Sequence, residues 1–154
     1  MARLYLINAS LKLVYTIDLA VGNGCPNRRD DVLLVQFFLK VVSEGPQKSE
    51  FTPAGRGPMQ TDGVWGPVSQ AYLNQFIAVP AKLNSQNPGA PLTQDGRVDP
   101  VVGGRTTGSL TGNVYTILAL NTSYKNVRSV SALQDITTDP VFPQELRRSL
   151  KIVQ

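Results

Sequence analysis

The run Asp62-Gly63-Val64-Trp65-Gly66-Pro67 sets a sharp reversal between two stretches whose apolar residues recur at helical spacing. Glycine after aspartate enters the left-handed backbone region without a Cβ clash, so a tight turn is expected there. Upstream, Val32, Val35, Phe38, Leu39 and Val42 fall on one helical face. Asp30 or Asp31 is expected to cap that helix, because a carboxylate accepts the free amides of a first turn and suits the positive end of the dipole. Gly45-Pro46 is expected to end it. Downstream, Pro67 or Ser69 starts a second helix that buries Val68, Tyr72, Leu73, Phe76 and Ile77, with the Ser69 hydroxyl as its cap and Pro80 as its stop.

The N-terminal segment has a different period. Leu11, Leu13, Tyr15, Ile17 and Leu19 alternate with Lys12, Val14, Thr16 and Asp18, the mark of a half-buried strand. Arg3 to Ile7 is also β-rich, and Asn8-Ala9-Ser10 between them predicts a hairpin turn. Val21 to Asn27, with two glycines and a proline, breaks this pattern. A polar stretch from Gly45 to Thr61 reads as loop, as do Asn84 to Gln94 and Val101 to Gly112. Asp95-Gly96 opens another turn, and Val114 to Leu120 reads as a short helix, although its β-branched residues also suit a strand. Gln144-Glu145-Leu146 begins a last short helix ending in Arg147, Arg148 and Lys151, basic residues that suit the negative end of a dipole. No clean linker interrupts the 154 residues. The expectation is one domain, mainly α with added β: a hairpin over 1–20, a helical core over 21–121 and a C-terminal extension over 122–154.

Composition narrows the chemistry. The chain has no histidine and one cysteine, Cys25. That excludes a Ser-His-Asp triad, a Cys-His dyad, a His-ligated zinc, an internal disulfide and a thiolate cluster. Cys25, between Gly24 and Pro26, lacks a histidine to activate it as a nucleophile. A glycosidase could work on paired carboxylates, but the glutamates Glu44, Glu50 and Glu145 carry no flanking signature. Gly103-Gly104-Arg105-Thr106-Thr107-Gly108-Ser109 lacks the lysine of a phosphate-binding loop. Asp95-Gly96-Arg97-Val98-Asp99 lacks the alternating ligands and distant glutamate of a calcium loop. No catalytic residue, metal site or cofactor is expected.

The net charge of +4 comes from scattered residues, with tight groups only at Arg28-Arg29 and at Arg147-Arg148 with Lys151. A nucleic-acid binder would carry a denser basic stripe with interleaved aromatics, so that partner is not expected. No apolar run reaches the ~18 residues of a membrane span. Lys12 and Asp18 interrupt any signal-peptide core, so the expectation is synthesis in the cytoplasm, then lysis, a particle or a dedicated machine as the route out. The triplets Asn8-Ala9-Ser10 and Asn121-Thr122-Ser123 match the glycosylation pattern, which short sequences meet by chance.

The Asp62-to-Ser69 run, followed by Ala71, Leu73 and Phe76 and preceded by Asp31 to Leu39, resembles the peptidoglycan-binding-domain family. Its pattern is V-x-x-L-Q-x-x-L on a first helix, then D-G-x-F-G-x-x-T, then A-V-x-x-F-Q. Val35-Gln36 stands for the Leu-Gln pair and Trp65 for the aromatic. Ser69 replaces the threonine and Ile77 the closing glutamine. Asp95-Gly96-Arg97-Val98-Asp99-Pro100 looks like the start of a second such turn, with Asp99 where glycine is usual. The resemblance spans roughly residues 21–121 and implies a three-helix module that binds cell-wall glycan or stem peptide without catalysing. It points to Asp62, Gly63, Trp65 and Tyr72 as ligand-binding residues, beside a groove at the turn. Trp65 reads first as a core plug and second as a sugar-stacking platform.

Two functions follow as expectations. One is a peptidoglycan-binding module, aided by the repetition of wall polymers. The alternative is a structural or interaction subunit of a larger assembly, a phage virion or an injection apparatus, which keeps the fold without the sugar. Its N-terminal hairpin would offer an edge to neighbouring protein subunits.

Overall fold

The computed structural model describes residues 3–7, 12–79, 92, 95–101 and 115–153. The fold is mainly helical with a small β component, as the periodicities require. The expected turn at Asn8-Ala9-Ser10, the Pro80 stop and most of the 80–94 and 101–112 loops lie outside the described residues.

Strands β1 (Arg3–Ile7) and β2 (Lys12–Thr16) pair antiparallel, from Arg3 opposite Thr16 to Ile7 opposite Lys12. The alternation is right about pairing and stops early. Tyr15 and Ile17 are buried, whereas Leu19 lies beyond the strand and is exposed. The opposite face is not solvated either, because Thr16 is buried and its hydroxyl oxygen accepts the Val101 N–H at 3.0 Å. A second small ladder joins β3 (Val21–Gly22) to β4 (Arg97–Val98).

Helix α1 (Arg29–Ser43) is the axis of the molecule. Its expected face is buried, but so are Leu33, Leu34, Phe37 and Val41. A helix apolar nearly all round must be enclosed, and α1 is. Neither aspartate caps it. Arg28 is the N-cap residue and makes no side-chain cap bond. Asp31 sits one turn in and reaches back, accepting the N–H groups of Asp18 and Leu19 at 3.0 and 3.1 Å. Its carboxylate therefore holds the bend after β2 by accepting two of its backbone donors.

The stretch after Gly45 is not simply loop. It contains a single helical turn, α2 (Lys48–Phe51), whose Phe51 stacks on Phe76 with ring centroids 5.6 Å apart. Met59 from the same stretch is also core. Helix α3 (Pro67–Ala78) starts at Pro67, where a missing N–H is harmless. Tyr72, Leu73, Phe76 and Ile77 are buried as expected, and Val68 is half-buried. Ser69 does not cap α3, because Gly66 occupies that position.

The third apolar segment is helix α4 (Thr116–Val127), longer than its apolar residues indicate. Tyr124 of α4, Phe37 and Phe38 of α1, and Phe142 beyond it form an aromatic cluster with centroids 5.2–5.6 Å apart. Edge-to-face pairs of this kind add ~0.5–1.5 kcal/mol each beyond their burial. Helix α5 (Val130–Gln134) is capped by the Ser129 hydroxyl, and a 3-10 turn (Ile136–Thr138) follows. Helix α6 (Gln144–Ser149) ends before Lys151. Ile136, Phe142 and Leu146 place the C-terminal region in the same core as α1.

Lys151 was expected in the last helix and instead begins β5 (Lys151–Val153), which runs parallel to β1. The sheet order is thus β2-β1-β5. One edge of the hairpin expected to meet neighbours, that of β1, is taken by the chain's own β5. The outer side of β2 is also occupied at Tyr15, by the side-chain amide of Asn121. Asn121 is 2% exposed. Among the described residues, no helix is long and apolar enough to cross a membrane.

Candidate functional site

Two Asp-Gly turns lie on either side of α3, and both have the same local geometry. Gly63 and Gly96 have φ of +75° and +68°, in the left-handed region. In each turn the aspartate carboxylate accepts the N–H two residues on, Val64 to Asp62 at 3.0 Å and Arg97 to Asp95 at 3.2 Å. Such local bonds close an Asx turn.

Each turn is held by a glutamine from a helix. Gln36 of α1 is fully buried, and its Oε1 accepts the Gly63 N–H at 2.9 Å. Its Nε2 donates to the Asp62 carboxylate, the Val64 carbonyl and the Ser69 hydroxyl at 3.1, 2.9 and 3.0 Å. Ser69 thus serves the turn rather than the helix start. The Val64 amide, above all, holds the Asp62 carboxyl below its usual range, with Gln36 assisting. Arg29 lies across Gly63, so close that a Cβ there would stand 2.9 Å from its Cγ. The same guanidinium forms a bidentate pair with Glu145 of α6, at 2.6 and 2.8 Å. The Asp62 turn is thereby tied to α1 inside and to α6 outside.

Gln70 of α3 plays the matching part. Its Oε1 accepts the Trp65 indole N–H at 2.8 Å and the Asn23 N–H at 2.9 Å. Its Nε2 donates to the Gly96 carbonyl at 2.8 Å and to Asn74 at 2.9 Å. One side chain gathers the loop after β3, the indole and the second turn. Around it opens a cleft of about 380 Å³ lined by Asn23, Gln70, Asn74, Ile77, Asp95 and Gly96. That is near the lower end of ligand-site sizes, ~300–1,000 Å³.

The site residues expected from the resemblance are dispersed over this framework. Asp62 is exposed on the turn, and Gly63 is buried under Arg29. Trp65 is partly buried against the core, with its N–H committed to the cleft wall. Tyr72 is 3% exposed and donates its hydroxyl to the Gly57 carbonyl at 2.9 Å, away from the residues that line the cleft. Asn23, Gln70 and Asn74 were not anticipated. The available signal was Gln70 itself, a glutamine 26 residues before Gly96 as Gln36 is 27 before Gly63.

Two of the three glutamates have side-chain partners. Glu145 is bound by Arg29, which holds its carboxyl below the ordinary range, and Glu44 pairs with Lys40 at 2.8 Å. Burial raises the Cys25 thiol, which works against a reactive thiolate. Among the described residues no cluster of three or more potential metal ligands occurs. What the cleft offers is carboxamide, carboxylate and one apolar side chain, the equipment for binding a neutral polar ligand. No protein-family model, curated protein or solved structure matches the chain.

Proposed function

We propose that this chain is a non-catalytic module that binds peptidoglycan, with a three-helix core of the peptidoglycan-binding type. The observation that carries the reading is the pair of glutamine-tethered Asp-Gly turns, the second of which lines a polar cleft together with its own glutamine, Gln70, the partner of Trp65. The motif residues that suggested the family, Gln36, Asp62, Gly63 and Ser69, support it by meeting in one hydrogen-bond network. A preorganised cleft loses little entropy when a ligand docks, and a repeating wall polymer allows weak single contacts to add up. Sedimentation with purified, insoluble peptidoglycan tests the proposal: the protein is expected in the pellet at low salt, and protein left in the supernatant rejects it.

A second reading has one observation behind it. Among the described residues no strand covers the outer side of β5, so a subunit role in a larger assembly would use that edge rather than the hairpin. Light scattering over a concentration series tests this, with a strict monomer counting against it.

A further inference from the structure

The cleft's chemistry selects among the components of a wall. Its lining includes the carboxylate of Asp95 and no lysine or arginine. Arg97, next along the chain from Gly96, is bound by Asp99 at 3.1 Å. An anionic ligand would meet Asp95 without a compensating cation, which is an effective way to reject it. The free valences are amide groups. Asn74 gives its Oδ1 to Gln70, which leaves its Nδ2 with no partner among the described residues. Asn23 is held through its backbone N–H, and its side chain forms no bond there either. Ile77 also lines the cleft but is only 2% exposed, so the amide groups dominate its surface.

We propose that this cleft takes the acetamido group of a neutral N-acetylated amino sugar, and not the carboxylate-bearing stem peptide. The inference rests on the wall-binding reading above and narrows its ligand. The acetamido carbonyl accepts from Asn74 Nδ2, and its N–H donates to the Asn23 side-chain oxygen. Asp95 is left to accept from ring hydroxyls. Gln70 ties the cleft walls together, because it is bonded to the Asn23 backbone, the Asn74 side chain and the Gly96 carbonyl at once.

The test is titration of the full chain with three soluble probes, followed by Trp65 fluorescence and by calorimetry. These are the β-1,4 tetramer of N-acetylglucosamine, the matching glucose tetramer, which lacks only the acetamido groups, and a synthetic stem peptide. The N-acetylated tetramer is expected to bind at least tenfold more tightly than either other probe. Asn74→Asp keeps the acceptor used by Gln70 and removes the donor, so it is expected to weaken that binding at least tenfold with the melting temperature unchanged. Equal binding of the two tetramers, tighter binding of the stem peptide, or full binding by Asn74→Asp overturns the inference. No binding of any probe, with the protein still pelleting on insoluble peptidoglycan, overturns it and leaves the wall-binding reading standing. Failure in both assays removes both.

Discussion

The side-chain amide of Asn121 hydrogen-bonds both backbone groups of Tyr15, accepting its N–H and donating to its carbonyl at 2.8 Å each. It does on the edge of β2 what a neighbouring strand would do, and it does so from helix α4. Its Nδ2 also reaches the Ile117 carbonyl at 2.7 Å, so the amide is held within its own helix as well. Asn121→Ala leaves two buried backbone groups unpaired. Each such group costs ~1–3 kcal/mol. Urea unfolding is expected to show a loss of about 3 kcal/mol, and an unchanged midpoint would mean that water replaces the amide.

Gln36 makes a sharper prediction, because its two ends face opposite partners. Gln36→Ala strands the Gly63 N–H and is expected to cost about 2–4 kcal/mol. Gln36→Glu keeps the acceptor for Gly63 but turns a carboxylate toward Asp62, the Val64 carbonyl and Ser69. At pH 7 it is expected to be the worse variant, and the gap should close as the pH falls and the new carboxyl takes up a proton. Thermal melts at pH 7 and pH 4.5 read this directly.

Gly63→Ala tests the contact between the turn and Arg29. A left-handed backbone costs an L-residue ~1–2 kcal/mol. The added Cβ would also displace Arg29 from its place over the turn and toward loss of Glu145. In an Arg29→Ala background only the backbone strain should remain, so the loss from Gly63→Ala should be smaller there. Additive effects in the double-mutant cycle would show that Arg29 moves aside freely.

Tyr124 and Tyr15 set an alkaline limit. Burial and the Asp139 hydrogen bond push Tyr124 above the ordinary tyrosine range, and burial raises Tyr15. A folded pKa above the unfolded value, ~10 for tyrosine, contributes stability that is complete below pH ~10 and is lost as the pH rises beyond it. Unfolding midpoints should therefore fall steeply above pH 10. Tyr124→Phe should flatten that fall and remove about 1 kcal/mol at pH 7, since Arg128 still reaches Asp139 at 2.9 Å.

The parts of the fold legible in the sequence are those in which many residues repeat one rule. Val32 to Val42 announces α1, Tyr72 to Ile77 announces α3, and Lys12 to Thr16 alternates long enough to be read as a strand. Lys151-Ile152-Val153 is too short to show a period, so β5 was hidden behind the basic end of a helix. The candidate site was half legible. Asp62-Gly63 and Asp95-Gly96 are visible because left-handed turns demand particular residues. Gln36 is legible only as part of a pattern, and Gln70 is not legible locally, because glutamine is ordinarily a surface residue and nothing beside it marks one that will be buried. Asn121 is similar: its triplet resembles a modification signal, and only the packed helix reveals an amide spent on Tyr15.

The parallel pairing of β1 with β5 has a consequence for how the molecule is made. A ribosome releases β1 among the first described residues and β5 among the last, after every helix that packs between them in sequence. Throughout that interval β1 has only β2 beside it, and its other edge has no strand to accept it. Completion of the sheet therefore waits for β5, and the free edge of β1 is open to mispairing with neighbours until Lys151–Val153 emerge.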